Sequence, residues 1–149
     1  MYSKFLFLFA ITALTIASCS KDYDELNNEE ILMYLADNNI TAEEHESGIY
    51  YTVTKTGDGN HPSASATVKV KYIGKLTDGT VFDQTTNDQS AEFPLVNLIQ
   101  GWQIGIPLLD KGGKGTFYIP SSLGYGGQAN GSIPANSVLI FDIELVDFN

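Results

Sequence analysis

Leu98-Ile99-Gln100-Gly101-Trp102 holds the only tryptophan of this 149-residue chain, and its setting decides the reading of the fold. Asn97 can cap a single short helix carrying Gln100 to about Leu109, and Pro107 removes one helical donor, so this helix should kink or end early. Almost everything around it has the texture of strands. Tyr72, Phe82-Asp83, Tyr125-Gly126 and Phe141 each lie in an otherwise β-like stretch. Together with Trp102 they would line one aromatic-walled pocket that holds almost no ionisable chemistry. Such a pocket suits a small apolar ring better than a phosphate, a sugar or a metal.

Working outward, Ile49 to Lys55 alternates and then meets a Gly57-Asp58-Gly59-Asn60 turn. Thr67 to Leu76 reads as a long strand with Val68, Val70 and Tyr72 on one face, closed by the turn Thr77-Asp78-Gly79. Val81-Phe82-Asp83 resumes the sheet, and Glu92 to Leu95 adds a short strand. After the Gly112-Gly113 turn, Gly115 to Ile119 is a strand, and a loop rich in Gly, Ser and Asn spans Pro120 to Asn136. Val138 to Phe148 closes the chain by alternating Leu139, Phe141, Ile143 and Leu145 with more polar neighbours. The sum is an α+β chain: a mainly antiparallel sheet wrapping one short helix, with no internal repeat.

The start of the chain reads differently. Lys4 followed by the apolar run Phe5 to Ala17 matches a secretory signal and is too short for a bilayer, which needs roughly 20 apolar residues. Ile16-Ala17-Ser18-Cys19 resembles the bacterial lipobox, which implies a signal peptide over 1–18 and a lipid on Cys19 that tethers the chain to a membrane without crossing it. Cys19 is the only cysteine, so no intramolecular disulfide forms. Residues 19–48 read as an acidic tether with one helix, capped by Asp22 or Asp24, running to about Asp37 and carrying a stripe of Leu26, Ile31, Leu32 and Leu35. Asn38-Asn39 would end it, and Thr41-Ala42-Glu43-Glu44 matches a capping box for a short second turn.

Composition removes several function classes. Of the net charge of −10, nine acids crowd between Lys21 and Gly48, there is no arginine, and no basic face exists to neutralise phosphates, so nucleic acid is excluded as a partner. His45 and His61 are far apart among turn residues and belong to no metal cluster or triad; they read as solvated surface residues. Gly113-Lys114 lacks the flanking residues of a phosphate loop. With Cys19 acylated no thiol nucleophile remains, so catalysis would proceed without covalent, metal or cofactor chemistry.

Eight blocks then fall in order: Val70-Lys71-Tyr72-Ile73-Gly74, Asp78 to Asp83, Ile99 to Trp102, Gly112-Gly113-Lys114, Ile119-Pro120, Tyr125-Gly126, Ile133-Pro134 and Leu139 to Leu145. In order and spacing they resemble the FKBP-type peptidyl-prolyl cis-trans isomerases, over roughly residues 49–149, the whole β region. The resemblance implies an antiparallel half-barrel around a short helix, rotation of X-Pro bonds in exported proteins, and proline-containing polypeptides as partners. It also implies inhibition by FKBP-binding macrolides, and the short N-terminal segment implies a monomer. By the same resemblance Trp102 would form the floor, and Tyr72, Phe82 and Phe141 the walls. Ile99 would offer apolar surface and its backbone N–H, with Leu98 beside it on the substrate-binding surface. Tyr125 would give its hydroxyl to the carbonyl of the turning bond, Asp83 would sit at the edge, and Ile133 would close the pocket from the long loop. Phe93 and Phe117 read as core.

Three positions depart from the family's pattern. No basic residue lies in Thr85 to Gln89 to orient the aspartate, Ala91 stands where a wall aromatic is expected two places before Phe93, and the loop histidine before Ile-Pro is missing. A smaller wall at Ala91 should admit bulkier residues before proline. The competing readings are a non-catalytic module that grips proline segments and a scaffold lipoprotein of an envelope complex. The layout is similar to isomerase lipoproteins associated with gliding motility.

Overall fold

The computed structural model describes residues 22–86 and 89–149. The signal peptide expected over 1–18 and the lipid site expected at Cys19 lie outside the described residues. In chain order the elements are α1 (Tyr23–Asp37), β1 (Glu43–Glu44), β2 (Tyr50–Lys55), β3 (Thr67–Lys75), β4 (Val81–Gln84), β5 (Ala91–Pro94), α2 (Gln100–Gly105), β6 (Lys114–Ile119) and β7 (Leu139–Phe148). The strands form one antiparallel sheet in the order β1-β2-β6-β7-β3-β4. The outer edge of β3 is shared. Its second half pairs with β4, Gly74 opposite Asp83, while its first half pairs with β5, Val68 opposite Phe93 and Val70 opposite Ala91.

Alternation along each strand decides what is enclosed. Val68, Val70, Phe117, Ile119, Leu139, Phe141, Ile143 and Leu145 all point to the concave face and are buried there. The short helix α2 fills that concavity with Trp102 and two glycines, and Ile106 directly after it adds to the same core. The glycines allow close contact: a methyl at Gly101 would lie 2.5 Å from the Ile119 Cγ2, and one at Gly105 2.8 Å from the Phe117 ring. Helix α2 therefore rests directly on β6. It stops at Gly105 and gives way to a 3-10 turn at Ile106–Leu108 that contains Pro107, as the missing donor dictates. Asn97 does not cap it. That residue sits in a separate 3-10 turn, Leu95–Asn97, and the N-cap is Ile99, whose carbonyl accepts the N–H groups of Trp102 and Gln103.

The convex face carries a second, smaller core. Tyr50, Tyr118 and Ile140 point outward from β2, β6 and β7, and α1 covers them with Ile31 and Leu35, both buried. Tyr34 packs at 5.9 Å from the Tyr118 ring. The helix is thus docked on the domain. Its buried stripe is Asn27, Ile31 and Leu35, and Leu32, expected in that stripe, is 46% exposed. The capping-box reading of Thr41 to Glu44 is replaced by strand β1, where Glu43 and Glu44 pair with Tyr51 and Tyr50. The Asp22 side chain caps α1 through the Asp24 N–H, and Asn38 closes it through N–H bonds to the Tyr34 and Ala36 carbonyls.

Loop connections on the side of β6 away from α1 are held by a buried carboxylate. Asp110 is 5% exposed and accepts the N–H groups of Gly57 and Gly59 at 2.8 and 2.9 Å, which holds its pKa below the usual carboxylate range. His61, read as solvated, is exposed but bonded, its Nδ1 lying 3.0 Å from the carbonyl oxygens of both Pro107 and Leu109.

Candidate active site

The concave sheet and α2 leave one opening between them, beneath β4 and β5. Trp102, 5% exposed, stands at its base because α2 presents it toward β3 and β7. The Tyr72 ring meets it at 5.0 Å and the Phe141 ring at 5.1 Å, each at 85°. Phe82 continues the wall, 5.4 Å from Phe141 at 83°. Edge-to-face contacts of this kind are favourable beyond their area and fix ring orientation. The indole N–H of Trp102 is buried and has no hydrogen-bond partner among the described residues.

The opening is lined by Tyr72, Phe82, Asp83, Phe93, Leu98, Ile99, Trp102, Tyr125 and Phe141 and holds about 130 Å³. An apolar cavity of about 150 Å³ is enough to take up a benzene ring, so this one has room for a single small ring. A larger groove of about 480 Å³ crosses the convex face, lined by residues that include Asp142, Lys114 and Glu144. Within it Lys114 pairs with Glu144, and Asp142 pairs with Lys75 beside it, each at 3.0 Å, and the groove is open to solvent. It offers neither enclosure nor a dry surface.

Apart from the Trp102 indole N–H, the polar side-chain groups lining the opening, those of Tyr72, Asp83 and Tyr125, stand at the rim. The Tyr72 hydroxyl donates to Asp83 Oδ2 at 2.6 Å, and the Gln84 N–H donates to Asp83 Oδ1 at 2.9 Å. These two bonds orient the carboxylate, and among the described residues no basic side chain contacts it. Burial, then the hydrogen bond and charge of Asp83, push the Tyr72 pKa far up. Burial, then the Asp83 charge, raise that of Tyr125. Both phenols stay protonated and act as donors across the physiological range. Tyr125 is 39% exposed and its hydroxyl has no hydrogen-bond partner among the described residues. The backbone N–H of Ile99 is likewise unpaired among them.

All seven residues expected to be catalytic therefore surround one opening, and Leu98 joins them. Ile133 does not. Its side chain is 5% exposed and packs into the main core, because its backbone pairs with Asn130 inside the loop and turns it inward. Phe93, expected in the core, lines the opening instead, its ring 6.3 Å from both Tyr72 and Trp102. The signal was present: Ala91 and Phe93 lie two apart on β5 and so face the same side. The aromatic absent at Ala91 is partly supplied by its neighbour on the same face.

Residues 59–146 match the family model of the FKBP-type peptidyl-prolyl cis-trans isomerases. Among curated proteins, the chain is 45% identical over 139 residues to the FKBP-type peptidyl-prolyl cis-trans isomerase FkpA of Aeromonas hydrophila, covering 91% of this chain and 52% of that protein. It is 47% identical over 102 residues to the probable FkpA of Neisseria meningitidis serogroup B, covering 67% of this chain and 38% of that one. The chain thus spans about half the length, or less, of these relatives. Among solved structures, it superposes on FkpA from Escherichia coli with a TM-score of 0.75 at 37% identity, covering 85% of this chain and 59% of that one. A peptidyl-prolyl cis-trans isomerase from Pseudomonas syringae pv. tomato gives a TM-score of 0.73 at 32% identity, covering 84% of this chain and 95% of that one.

Proposed function

The chain belongs to the FKBP-type peptidyl-prolyl cis-trans isomerases, and from that premise we propose that it accelerates rotation about X-Pro bonds in exported polypeptides without covalent chemistry. The observation that carries the reading is the ring-sized aromatic opening with protonated phenols and a fixed carboxylate at its rim. Unaided rotation faces a barrier near 20 kcal/mol and takes tens of seconds. The barrier exists because amide resonance spreads charge onto the carbonyl oxygen and the nitrogen, and that resonance is broken in the twisted form. A dry aromatic surface disfavours the charge-separated planar amide relative to the twisted one. Each 1.4 kcal/mol gained by the twisted form is a tenfold acceleration.

In this mechanism the proline ring rests on Trp102 between Tyr72, Phe82, Phe93 and Phe141. The Ile99 N–H takes a substrate carbonyl, with Leu98 and Ile99 supplying apolar surface. Tyr125 donates to the carbonyl of the turning bond, and Asp83, held by Tyr72, sets the field at the pocket edge. Proline-containing polypeptides are the substrates, FKBP-binding macrolides compete for the same opening, and the protein acts as a monomer.

The chain is further proposed to be anchored in the cell envelope through lipid on Cys19, on the strength of the lipobox-like tetrad. Asp22 lies three residue steps from Cys19, about 10 Å at full extension, and α1, which begins at Tyr23, is docked through Asn27, Ile31 and Leu35. The isomerase domain would then sit close to the membrane surface.

The test is a cis-to-trans assay on proline peptides with the parent protein beside Tyr125→Phe and Asp83→Val. Acceleration that falls in both variants supports the reading. A well-folded parent with no acceleration makes the domain a binding or scaffold module.

A further inference from the structure

Helix α1 lies outside the stretch that the family model matches, yet one of its side chains reaches the loop that carries Tyr125. Asn27 is 2% exposed, a polar group in an otherwise apolar stripe. Its Oδ1 accepts the Ser121 N–H at 2.7 Å, and its Nδ2 donates to the Asn136 carbonyl at 3.1 Å. Those two residues stand near the ends of the long loop. They are also the residues that hold Gly126, whose N–H donates to the Ser121 carbonyl and whose carbonyl accepts the Asn136 N–H, each at 2.8 Å. Asn27, Ser121, Gly126 and Asn136 thus close a ring of four hydrogen bonds.

Gly126 directly follows Tyr125. It has φ +65° and Asn136 has φ +59°, both left-handed conformations that the ring fixes in place. The Tyr125 hydroxyl has no partner among the described residues, so its aim over the opening is set by the backbone beneath it. We propose that Asn27 is a positioning residue for the isomerase site, holding the Tyr125 loop in the shape that points the hydroxyl at the turning bond. The inference rests on the isomerase reading above. Only an amide serves here. One planar group must accept from one strand of the loop and donate to the other, which a carboxylate or an aliphatic side chain cannot do. Helix α1 is docked separately by Ile31 and Leu35, so replacing Asn27 leaves the helix in place.

The experiment combines a double-mutant cycle with hydrogen exchange on the full domain. Asn27→Leu is expected to lower kcat/KM about tenfold in the parent and less than twofold in a Tyr125→Phe background, because the loss passes through Tyr125. Asn27→Asp, isosteric and still an acceptor for Ser121, should fall in between. Exchange at the Gly126 and Asn136 amides should speed up at least tenfold in Asn27→Leu. An equal loss in both backgrounds, or a loss below twofold in the parent, overturns the positioning role. Unchanged exchange at both amides overturns the clamp itself. If the parent shows no isomerisation, the isomerase reading fails, and faster exchange in the variant still establishes that Asn27 holds the loop.

Discussion

A methyl group placed at Gly74 tests whether the pocket walls stand where the structure has them. Gly74 lies on β3 between Asp83 on β4 and Phe141 on β7. An added Cβ would fall 2.6 Å from Phe82 Cε2 and 2.7 Å from Phe141 Cε1. Carbon atoms sit comfortably at about 3.5–4.0 Å, so each ring must retreat by about 1 Å. Phe141 is backed by Trp102 at 5.1 Å and Phe82 by Phe141 at 5.4 Å, and the space open to both is the roughly 130 Å³ of the pocket. Gly74→Ala should therefore cost about 1–3 kcal/mol by overpacking, a fall in Tm of about 4 °C for each kcal/mol at this chain length. It should also narrow the pocket. A displacement of this size in reacting geometry can cost up to about a hundredfold, so kcat/KM on an Ala-Pro peptide should drop at least tenfold, well below the unfolding temperature. Thermal unfolding by circular dichroism and the coupled cis-to-trans assay read the two effects. Parent-like Tm and turnover together would show that Phe82 and Phe141 do not press on Gly74, and the pocket geometry would be wrong.

Other perturbations separate rim, wall and scaffold. Tyr72→Phe removes the 2.6 Å bond that orients Asp83 and should lower kcat/KM by about three- to tenfold, a loss read in the same assay. Because Tyr72 and Tyr125 both titrate above the ordinary tyrosine value, their donors survive as pH rises, and kcat/KM should stay flat from about pH 6 to 9. With Ala91 small and Phe93 on the wall, turnover on Ala-Pro and Phe-Pro peptides should be similar, and strict selectivity would count against this wall. The Asp110 pKa is depressed in the folded state, so its contribution to stability is present above the unfolded carboxylate value near 3.9 and lost as pH falls through the folded one. Asp110→Asn should lower stability at pH 7 and flatten the acid limb of a denaturation series. Ile31→Ala, fully buried under α1, should cost about 2–5 kcal/mol in urea unfolding.

The strands were legible because each alternates against one core: Val68, Val70 and Tyr72, then Leu139, Phe141, Ile143 and Leu145, repeat at period two. The end of α2 was legible from Pro107. What escaped was the convex core. Ile140 sits inside the apolar run Val138 to Phe141, and Tyr50 and Tyr118 read as ordinary strand aromatics, so nothing local shows that a helix covers all three. That helix hides its own inner face, because the stripe contains Asn27, whose partners lie 94 and 109 residues away. Hydrophobic spacing promoted Leu32 in its place. Glu43-Glu44 has no strand propensity, and only pairing with Tyr50 and Tyr51 makes it a strand. At the site, aromatic type and motif order gave the ring of residues, whereas the inward turn of Ile133 depends on a loop bridge to Asn130 that the sequence does not announce.

Trp102 is the sole tryptophan and the floor of the proposed proline site, so its fluorescence reports on that site alone. The most direct measurement is a titration with an FKBP-binding macrolide in which emission and cis-to-trans activity are followed on the same sample. A proline site built on Trp102 predicts that emission changes and activity falls together, to completion at one equivalent. Activity that persists after the emission change has saturated would place the turnover somewhere other than this pocket.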